Sequence, residues 1–136
     1  EQRILAIVQK AQQGSPDPVE RLREVLMGHI RFIREGRAIP RMIFSDDVHV
    51  GQPQRKQRVH RIVTRYLDHI ARLVEQGQAQ GRLRAELDPG TVALMLIGIV
   101  VPAGILWHLT DGGFDVTKHA ERAWRIFSQA MVGGES

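Results

Sequence analysis

A run of sixteen apolar or small residues, from Val92 to Trp107, most restricts how this chain can fold. The run contains no charged residue, so a helix formed by it has no polar face and has to be covered on every side. A chain of 136 residues is the size of one domain, and its own helices can cover only part of that surface. We expect the remainder to face a second copy of the chain, although a purely intrachain core is the alternative.

Helix start and stop signals divide the rest of the chain, and no strand-like alternation of apolar and polar residues is visible. Asp17, Asp88 and Asp115 are good N-cap residues, and a proline follows the first two at the first helical position. The sequence therefore predicts an all-α fold, a bundle of about five to six helices forming one domain over residues 1–136. The predicted helices follow an apolar segment, Ile4 to Ala11, and cover about 18–35, a short stretch after Pro40, 53–76 (ended by Gly77 and Gly81), 89–110 and 115–132.

The last two predicted helices supply two matching apolar surfaces. Residues of the final helix recur at the i, i+3, i+4, i+7 spacing of a helix face, and the preceding helix is apolar all round. We expect both helices to pair with their two-fold mates in an intermolecular four-helix bundle. The predicted dimer interface comprises Val92, Leu96, Ile99, Val100, Ala103, Trp107, Ala120, Ala123, Trp124, Phe127 and Met131.

Composition excludes several classes of function. The chain has no cysteine, which removes disulfides, thiolate zinc sites and cysteine nucleophiles. No catalytic spacing is found, so we predict neither an enzyme nor a cofactor, with a small all-α enzyme as an alternative. Asp46, Asp47 and His49 could offer ligands to a metal, but such loop residues more often face water, and no metal is predicted.

The apolar run is shorter than the ~18 to 20 residues that span a bilayer, and no signal peptide is visible, so we expect a cytoplasmic protein.

Basic residues cluster along the predicted helix over 53–76. Arg58, Arg61, Arg65 and Arg72 share the face opposite the apolar residues, with Asp68 as the single acid between residues 55 and 72. We interpret this face as the solvated side of an amphipathic helix. A phosphate-binding stripe is the alternative, although no aromatic residues interleave with the basic ones.

His29 lies at the centre of the apolar face of the helix over 18–35. A buried histidine has to satisfy its ring nitrogens by hydrogen bonding, and it can do so either as a core residue or as a polar group in a cavity. Phe32, Met42, Phe44 and the hydroxyl of Tyr66 on neighbouring helices favour a cavity, since a small-molecule site needs apolar walls with a few orienting polar groups.

The order of elements resembles the C-terminal ligand-binding and dimerisation domain of tetracycline-repressor-like (TetR family) transcriptional regulators. The resemblance rests on the segment from Pro40 to Asp47, the segment from Gly77 to Pro89, the apolar helix and the helix that carries Trp124 and Phe127. It implies that the last two helices pair across a homodimer. It also places an effector pocket on the helices that carry His29, Met42, Phe44, Tyr66 and Leu94. The predicted pocket lining is His29, Phe32, Ile33, Met42, Phe44, Val63, Tyr66, Leu67 and Leu94.

The resemblance further implies a regulator, most often a repressor, that reads operator DNA with an N-terminal helix-turn-helix domain. No such domain precedes this sequence, which also lacks an initiator Met, and residues 1–13 resemble the end of the connecting helix. We therefore expect operator DNA to be a partner only through a domain outside this chain. The expected partners of the chain itself are a second copy and a small apolar or aromatic effector. A helical dimerisation module that binds no ligand is the alternative.

Overall fold

The computed structural model describes residues 2–35 and 53–132, and within these ranges the chain is all-α. The all-α prediction is confirmed, and no strand occurs in the described residues. The short helix predicted after Pro40 lies outside the described residues. The five described helices are α1 (Gln2–Gly14), α2 (Pro18–Arg34), α3 (Pro53–Ala79), α4 (Pro89–Leu109) and α5 (Val116–Met131).

The predicted aspartate caps begin three of these helices. The side chains of Asp17, Asp88 and Asp115 accept hydrogen bonds from backbone N–H groups in the first turns of α2, α4 and α5. At Asp88 both the hydroxyl and the backbone N–H of Thr91 donate to the carboxylate, and these bonds hold the pKa of that carboxyl below its usual range. Each cap satisfies an N–H group that would otherwise have no partner, so these helices begin where the sequence predicts.

Helix α2 is the central element, because it contacts each of the other four described helices. It lies antiparallel to α1, with Ile7 packed beside Gly28. It also lies antiparallel to α3, since His29 contacts Tyr66 and Pro18 lies beside Gly77. The core residues that are 1% exposed or less come from all five helices. They include Val8, Leu22, Val25, Leu26, Ile30, Ile70, Leu73, Val74, Ala93, Leu96, Val100, Ala103 and Ala120.

The prediction that Gly77 ends the third helix is wrong. Gly77 is buried inside α3, and a Cβ atom there would lie 2.5 Å from Cδ1 of Leu83, so the glycine makes room for the segment that follows the helix. The reversal comes later, at Gly81, whose φ of +75° favours glycine. The side-chain amide of Gln78 donates to the carbonyls of Arg84 and Leu87 and holds this connection against the end of α3.

Helix α4 is long and apolar enough to cross a membrane, judged by length and composition alone. It has 21 residues and so extends past both ends of the sixteen-residue apolar run. A third of its most apolar window is buried inside the chain, and its inner side packs on α2, α3 and α5. Core helices of soluble proteins have the same composition. The two sides of α4 therefore differ in environment although they do not differ in polarity.

Candidate functional site

A buried histidine and a buried tyrosine form a hydrogen bond between α2 and α3. Nδ1 of His29 and the hydroxyl oxygen of Tyr66 are 2.9 Å apart, and the two residues are only 3% and 4% exposed. Because α2 and α3 run antiparallel, two residues on the apolar faces of different helices meet directly across the core. The tautomer of His29 decides which of the two groups donates.

Aromatic contacts fix the orientation of the His29 ring. The ring centroids of His29 and Tyr66 are 5.4 Å apart with an interplanar angle of 60°, and those of His29 and Phe32 are 6.1 Å apart at 76°. Both are edge-on arrangements, which aromatic pairs prefer over stacked faces. Phe32 is half-buried, so it connects the buried pair with the surface of the domain.

Burial makes both members of the pair electrically neutral. Desolvation lowers the pKa of the His29 imidazole from its ordinary 6.5 to about 4 and raises the pKa of the Tyr66 hydroxyl well above its usual range. At neutral pH the pair is therefore an imidazole and a phenol, each able to donate or accept one hydrogen bond. Such a pair suits the orientation of an uncharged polar group within an apolar environment.

Six of the nine residues that were predicted to line a pocket lie on the neighbouring helices α2 and α3, and direct contacts are described among His29, Phe32 and Tyr66. Ile33 is buried, and Val63 and Leu67 are half-buried, in addition to the three aromatic-ring residues described above. Met42 and Phe44 lie outside the described residues. The prediction for Leu94 is wrong, because this side chain is 60% exposed on the outer side of α4 and does not reach the core.

A groove between α1 and α2 was not anticipated from the sequence. It encloses about 340 Å³ and has Phe32, Gly28 and Ile7 among its lining residues. A Cβ atom at Gly28 would lie 2.9 Å from Cγ2 of Ile7, so the glycine permits close approach of the two helices one residue away from His29. The signal was present in the sequence as an isolated glycine inside a helical pattern, which often marks a packing requirement.

The outer side of α4 carries a continuous apolar surface, which we call the α4 outer surface. Its large residues, Leu94, Met95, Leu106 and Leu109, are 44–70% exposed. Ile126 of α5, which packs against α4, is 74% exposed. Patches of large exposed apolar residues on soluble domains mark contact surfaces.

Most of the predicted dimer-interface residues are instead core residues of the chain itself. Their side chains are at most 9% exposed and have almost no surface left for a partner. On α4 the reason is that the helix has no polar side, so its sequence could not indicate which side faces inward. On α5 the apolar side that the sequence indicates packs inward against the chain's own core. Half-buried side chains remain accessible at Ile99, Trp107, Ala123 and Phe127, whereas the core residues are Val92, Leu96, Val100, Ala103, Ala120, Trp124 and Met131.

No cluster of three or more His, Asp or Glu side chains that could hold a metal occurs in the described part of the chain. Asp46, Asp47 and His49, the alternative metal ligands, lie outside it. The His29–Tyr66 pair is therefore the most distinctive polar feature of the described core, and its chemistry is that of neutral hydrogen bonding.

The family model described as Tetracyclin repressor-like, C-terminal domain matches residues 15–131. The chain belongs to this TetR-like family. The match covers α2 to α5, including both sides of the His29–Tyr66 pair and the α4 outer surface. Comparison with curated proteins finds no match.

Solved structures of regulators share the fold of this TetR-like domain. A TetR transcriptional regulator from Chloroflexus aurantiacus has a TM-score of 0.78 at 18% identity, covering 97% of this chain and 69% of that protein. The ketosteroid transcriptional regulator KstR2 of Mycobacterium tuberculosis has a TM-score of 0.77 at 16% identity, covering 96% of this chain and 66% of that protein. At these identities the likeness shows the fold alone, and the TetR-like chain spans about two thirds of the length of each regulator.

The burial of His29 predicts a pH dependence of stability. Below pH 6.5 the unfolded chain protonates this histidine, whereas the folded chain does so only near pH 4, so the free energy of unfolding falls as the pH drops through this window. The full loss is about 3 kcal/mol. The His29→Gln variant keeps a hydrogen-bonding side chain but cannot titrate, and it is expected to lose correspondingly less stability between pH 7 and pH 4.

Urea unfolding of both proteins at a fixed concentration measures this difference. Fixed concentration is needed because association also changes apparent stability. Wild-type and variant curves that stay parallel across the window would show that His29 is not buried in its neutral form.

Proposed function

We propose that this TetR-like chain is the effector-sensing and dimerisation domain of a DNA-binding transcriptional regulator, acting as a repressor in the cytoplasm and not as an enzyme. The observation that carries the proposal is the neutral His29–Tyr66 pair, buried in an otherwise apolar core at the junction of α2 and α3. The family match over residues 15–131 supports a regulatory role. An apolar site with a few fixed polar groups is typical of small-molecule binding.

The effector that fits this site is largely apolar or aromatic and carries one or two uncharged hydrogen-bonding groups. A carbonyl or hydroxyl group can exchange hydrogen bonds with a neutral imidazole and a phenol. A carboxylate at the same place would be buried without a compensating charge, which is costly. One structural neighbour is described as a ketosteroid transcriptional regulator, and a ketosteroid combines an apolar skeleton with carbonyl groups.

Effector binding would act on DNA through α1. In the proposed whole protein an N-terminal helix-turn-helix domain precedes this helix, and two such domains on a two-fold dimer read half-sites about one DNA turn apart. An effector that prefers one position of α1 shifts the population toward it, with a typical coupling of ~1 to 3 kcal/mol. The close contact of Ile7 with Gly28 places α1 one residue from His29, and the segment around Met42 and Phe44 is a second route.

The homodimer would form through the α4 outer surface and Ile126. Two copies related by a two-fold axis present the same surface to each other, and α4 and α5 of both would form a four-helix bundle. Each large apolar side chain that becomes fully buried contributes about 1.5–3 kcal/mol. The exposed residues Leu94, Met95 and Leu109 carry this interface in place of the core residues that the sequence indicated.

The alternative is a dimerisation domain that binds no ligand. The mutual hydrogen bond of His29 and Tyr66 favours this alternative, because each group already satisfies the other within the core. The two candidates differ in one respect that can be measured, namely whether an apolar compound stabilises the folded chain and needs the Tyr66 hydroxyl to do so.

A thermal-shift screen with uncharged apolar compounds, including steroid ketones, tests the effector site. A compound at 100 times its dissociation constant adds ~2.7 kcal/mol to the stability of the folded chain. We expect Tyr66→Phe to weaken binding of such a compound about tenfold, the loss of one hydrogen bond or ~1.4 kcal/mol. Thr117→Val removes a hydroxyl on α5 that accepts from Arg34 and serves as the matched control. A stabilising compound that binds Tyr66→Phe as tightly as wild type would show that the effector does not use the Tyr66 hydroxyl. The absence of any stabilising compound would favour the ligand-free alternative.

Analytical ultracentrifugation of Met95→Glu tests the dimer surface. Met95 is 56% exposed on the outer side of α4, and two-fold symmetry places two substituted carboxylates in one interface. We expect the dissociation constant of the dimer to rise about a hundredfold, equivalent to ~2.7 kcal/mol. Thr64→Glu, at an exposed position of α3, is the control and should leave the dimer intact. A wild-type chain that is monomeric at micromolar concentration contradicts the proposal.

A further inference from the structure

The basic residues of α3 form an exposed surface that the effector site and the dimer do not use. Six Lys and Arg residues and one acid, Asp68, lie between residues 55 and 72, and all six basic side chains are exposed. The apolar side of the same helix is buried against the core through Val59, Ile62, Tyr66 and Ile70. Exposed cations at the start of this side, Lys56, Arg58 and Arg61, can therefore meet a partner of opposite charge.

The start of α3 concentrates this charge where the helix itself already repels cations. The first turn of α3 contains no acidic residue, and Lys56, Arg58 and Arg61 lie within its first three turns, near the partial positive charge of the helix N-terminus. None of the three takes part in the ion pairs described for the chain, which are Arg31–Glu24, Arg82–Asp17 and Arg84–Glu86. An external anion would relieve the repulsion among these three cations and the helix dipole.

The geometry of the bundle directs this cationic end toward the N-terminus of the chain. Tyr66 lies opposite His29, and Gly77 lies opposite Pro18. Helix α3 has 27 residues and α2 has 17, so in this register the start of α3 extends past the last turn of α2. Ile7 lies beside Gly28 in the antiparallel pair of α1 and α2. The starts of α1 and α3 are therefore at the same end of the domain.

We propose that Lys56, Arg58 and Arg61 bind the phosphate backbone of duplex DNA that flanks the operator. The proposal rests on the proposed function, in which the DNA-reading domain is attached at the start of α1. From Lys56 to Arg61 the basic start of α3 extends ~8 Å, a length over which one strand of B-DNA carries about two phosphates.

An anionic lipid surface is disfavoured by the way α3 is packed. Helices that lie on membranes insert an apolar face beside their basic residues, and the apolar face of α3 is occupied by the core. No aromatic side chain accompanies the basic side, so stacking on single-stranded bases is also disfavoured. Backbone contact with a duplex requires only cations at suitable spacing.

Fluorescence anisotropy of the chain with a labelled duplex of arbitrary sequence tests the proposal, over salt concentrations from ~25 to ~200 mM. Wild type is expected to bind at low salt and to lose affinity steeply as salt increases. Arg58→Gln/Arg61→Gln should weaken binding about tenfold at low salt and reduce the slope of log K against log salt by about 2. Lys118→Gln/Arg125→Gln removes the same charge from exposed positions of α5 and should change neither quantity appreciably. Lys56→Gln is a milder third variant for the same surface.

Three results would overturn the proposal. The first is failure of the wild-type chain to bind the duplex at low salt, and the second is an equal loss of binding in the two double variants. The third is binding of vesicles with anionic headgroups at higher affinity and with the same dependence on Arg58 and Arg61. Circular dichroism melting of each variant confirms that the chain is folded. The anisotropy assay contains no effector, so a negative result in it does not contradict the proposed effector site. In the same way, a negative thermal-shift screen does not contradict DNA binding by α3.

Discussion

The absence of a polar side on α4 is the constraint on which the rest of the domain depends. Exposing such a helix to water is unfavourable, because apolar surface is more stable when it is buried. The bundle therefore packs its inner residues, such as Leu96 and Val100, against α2, α3 and α5. The other four described helices leave part of it uncovered, where Leu94, Met95 and Leu109 are exposed. The position of α2 at the centre and the proposed pairing of two chains are both consequences of covering this one helix.

The same packing explains why a polar pair can exist in the core. Helices α2 and α3 meet antiparallel on the inner side of α4, and at one level the facing residues are His29 and Tyr66. The hydrogen bond between the two side chains offsets the cost of removing their polar groups from water. Burial also keeps both side chains in their neutral forms. Gly28 adjoins this pair and permits the close contact with α1, so a change at the pair has a short path to the helix that would lead to the DNA-reading domain.

Local signals in the sequence predicted the helices well, whereas tertiary packing decided what they could not predict. The starts at Asp17, Asp88 and Asp115 follow from capping, which depends only on neighbouring residues. The role of Gly77 depends on Leu83, which packs onto it from the following segment, so the local interpretation as a stop signal was wrong.

The candidate site was predictable to a similar degree. Periodicity placed His29 and Tyr66 on the apolar sides of their helices, but their 2.9 Å contact also requires the register of α2 against α3. The orientation of α4 was not predictable, since a helix that is apolar all round carries no directional pattern. For that reason Leu94 was assigned to the inner side of α4, and Val92, Leu96, Val100 and Ala103 to the outer side.

The central claim, that an effector binds at the neutral His29–Tyr66 pair, is tested most directly by the nitrogen NMR shifts of the histidine rings. Two-bond proton–nitrogen spectra recorded at pH 6 with and without a stabilising apolar compound report both the charge and the hydrogen bonding of each ring. We expect a neutral His29 ring whose nitrogen shifts change when the compound binds, while the exposed His119 does not respond. A charged His29 ring at pH 6, or a compound that binds and leaves the His29 shifts unchanged, would contradict it.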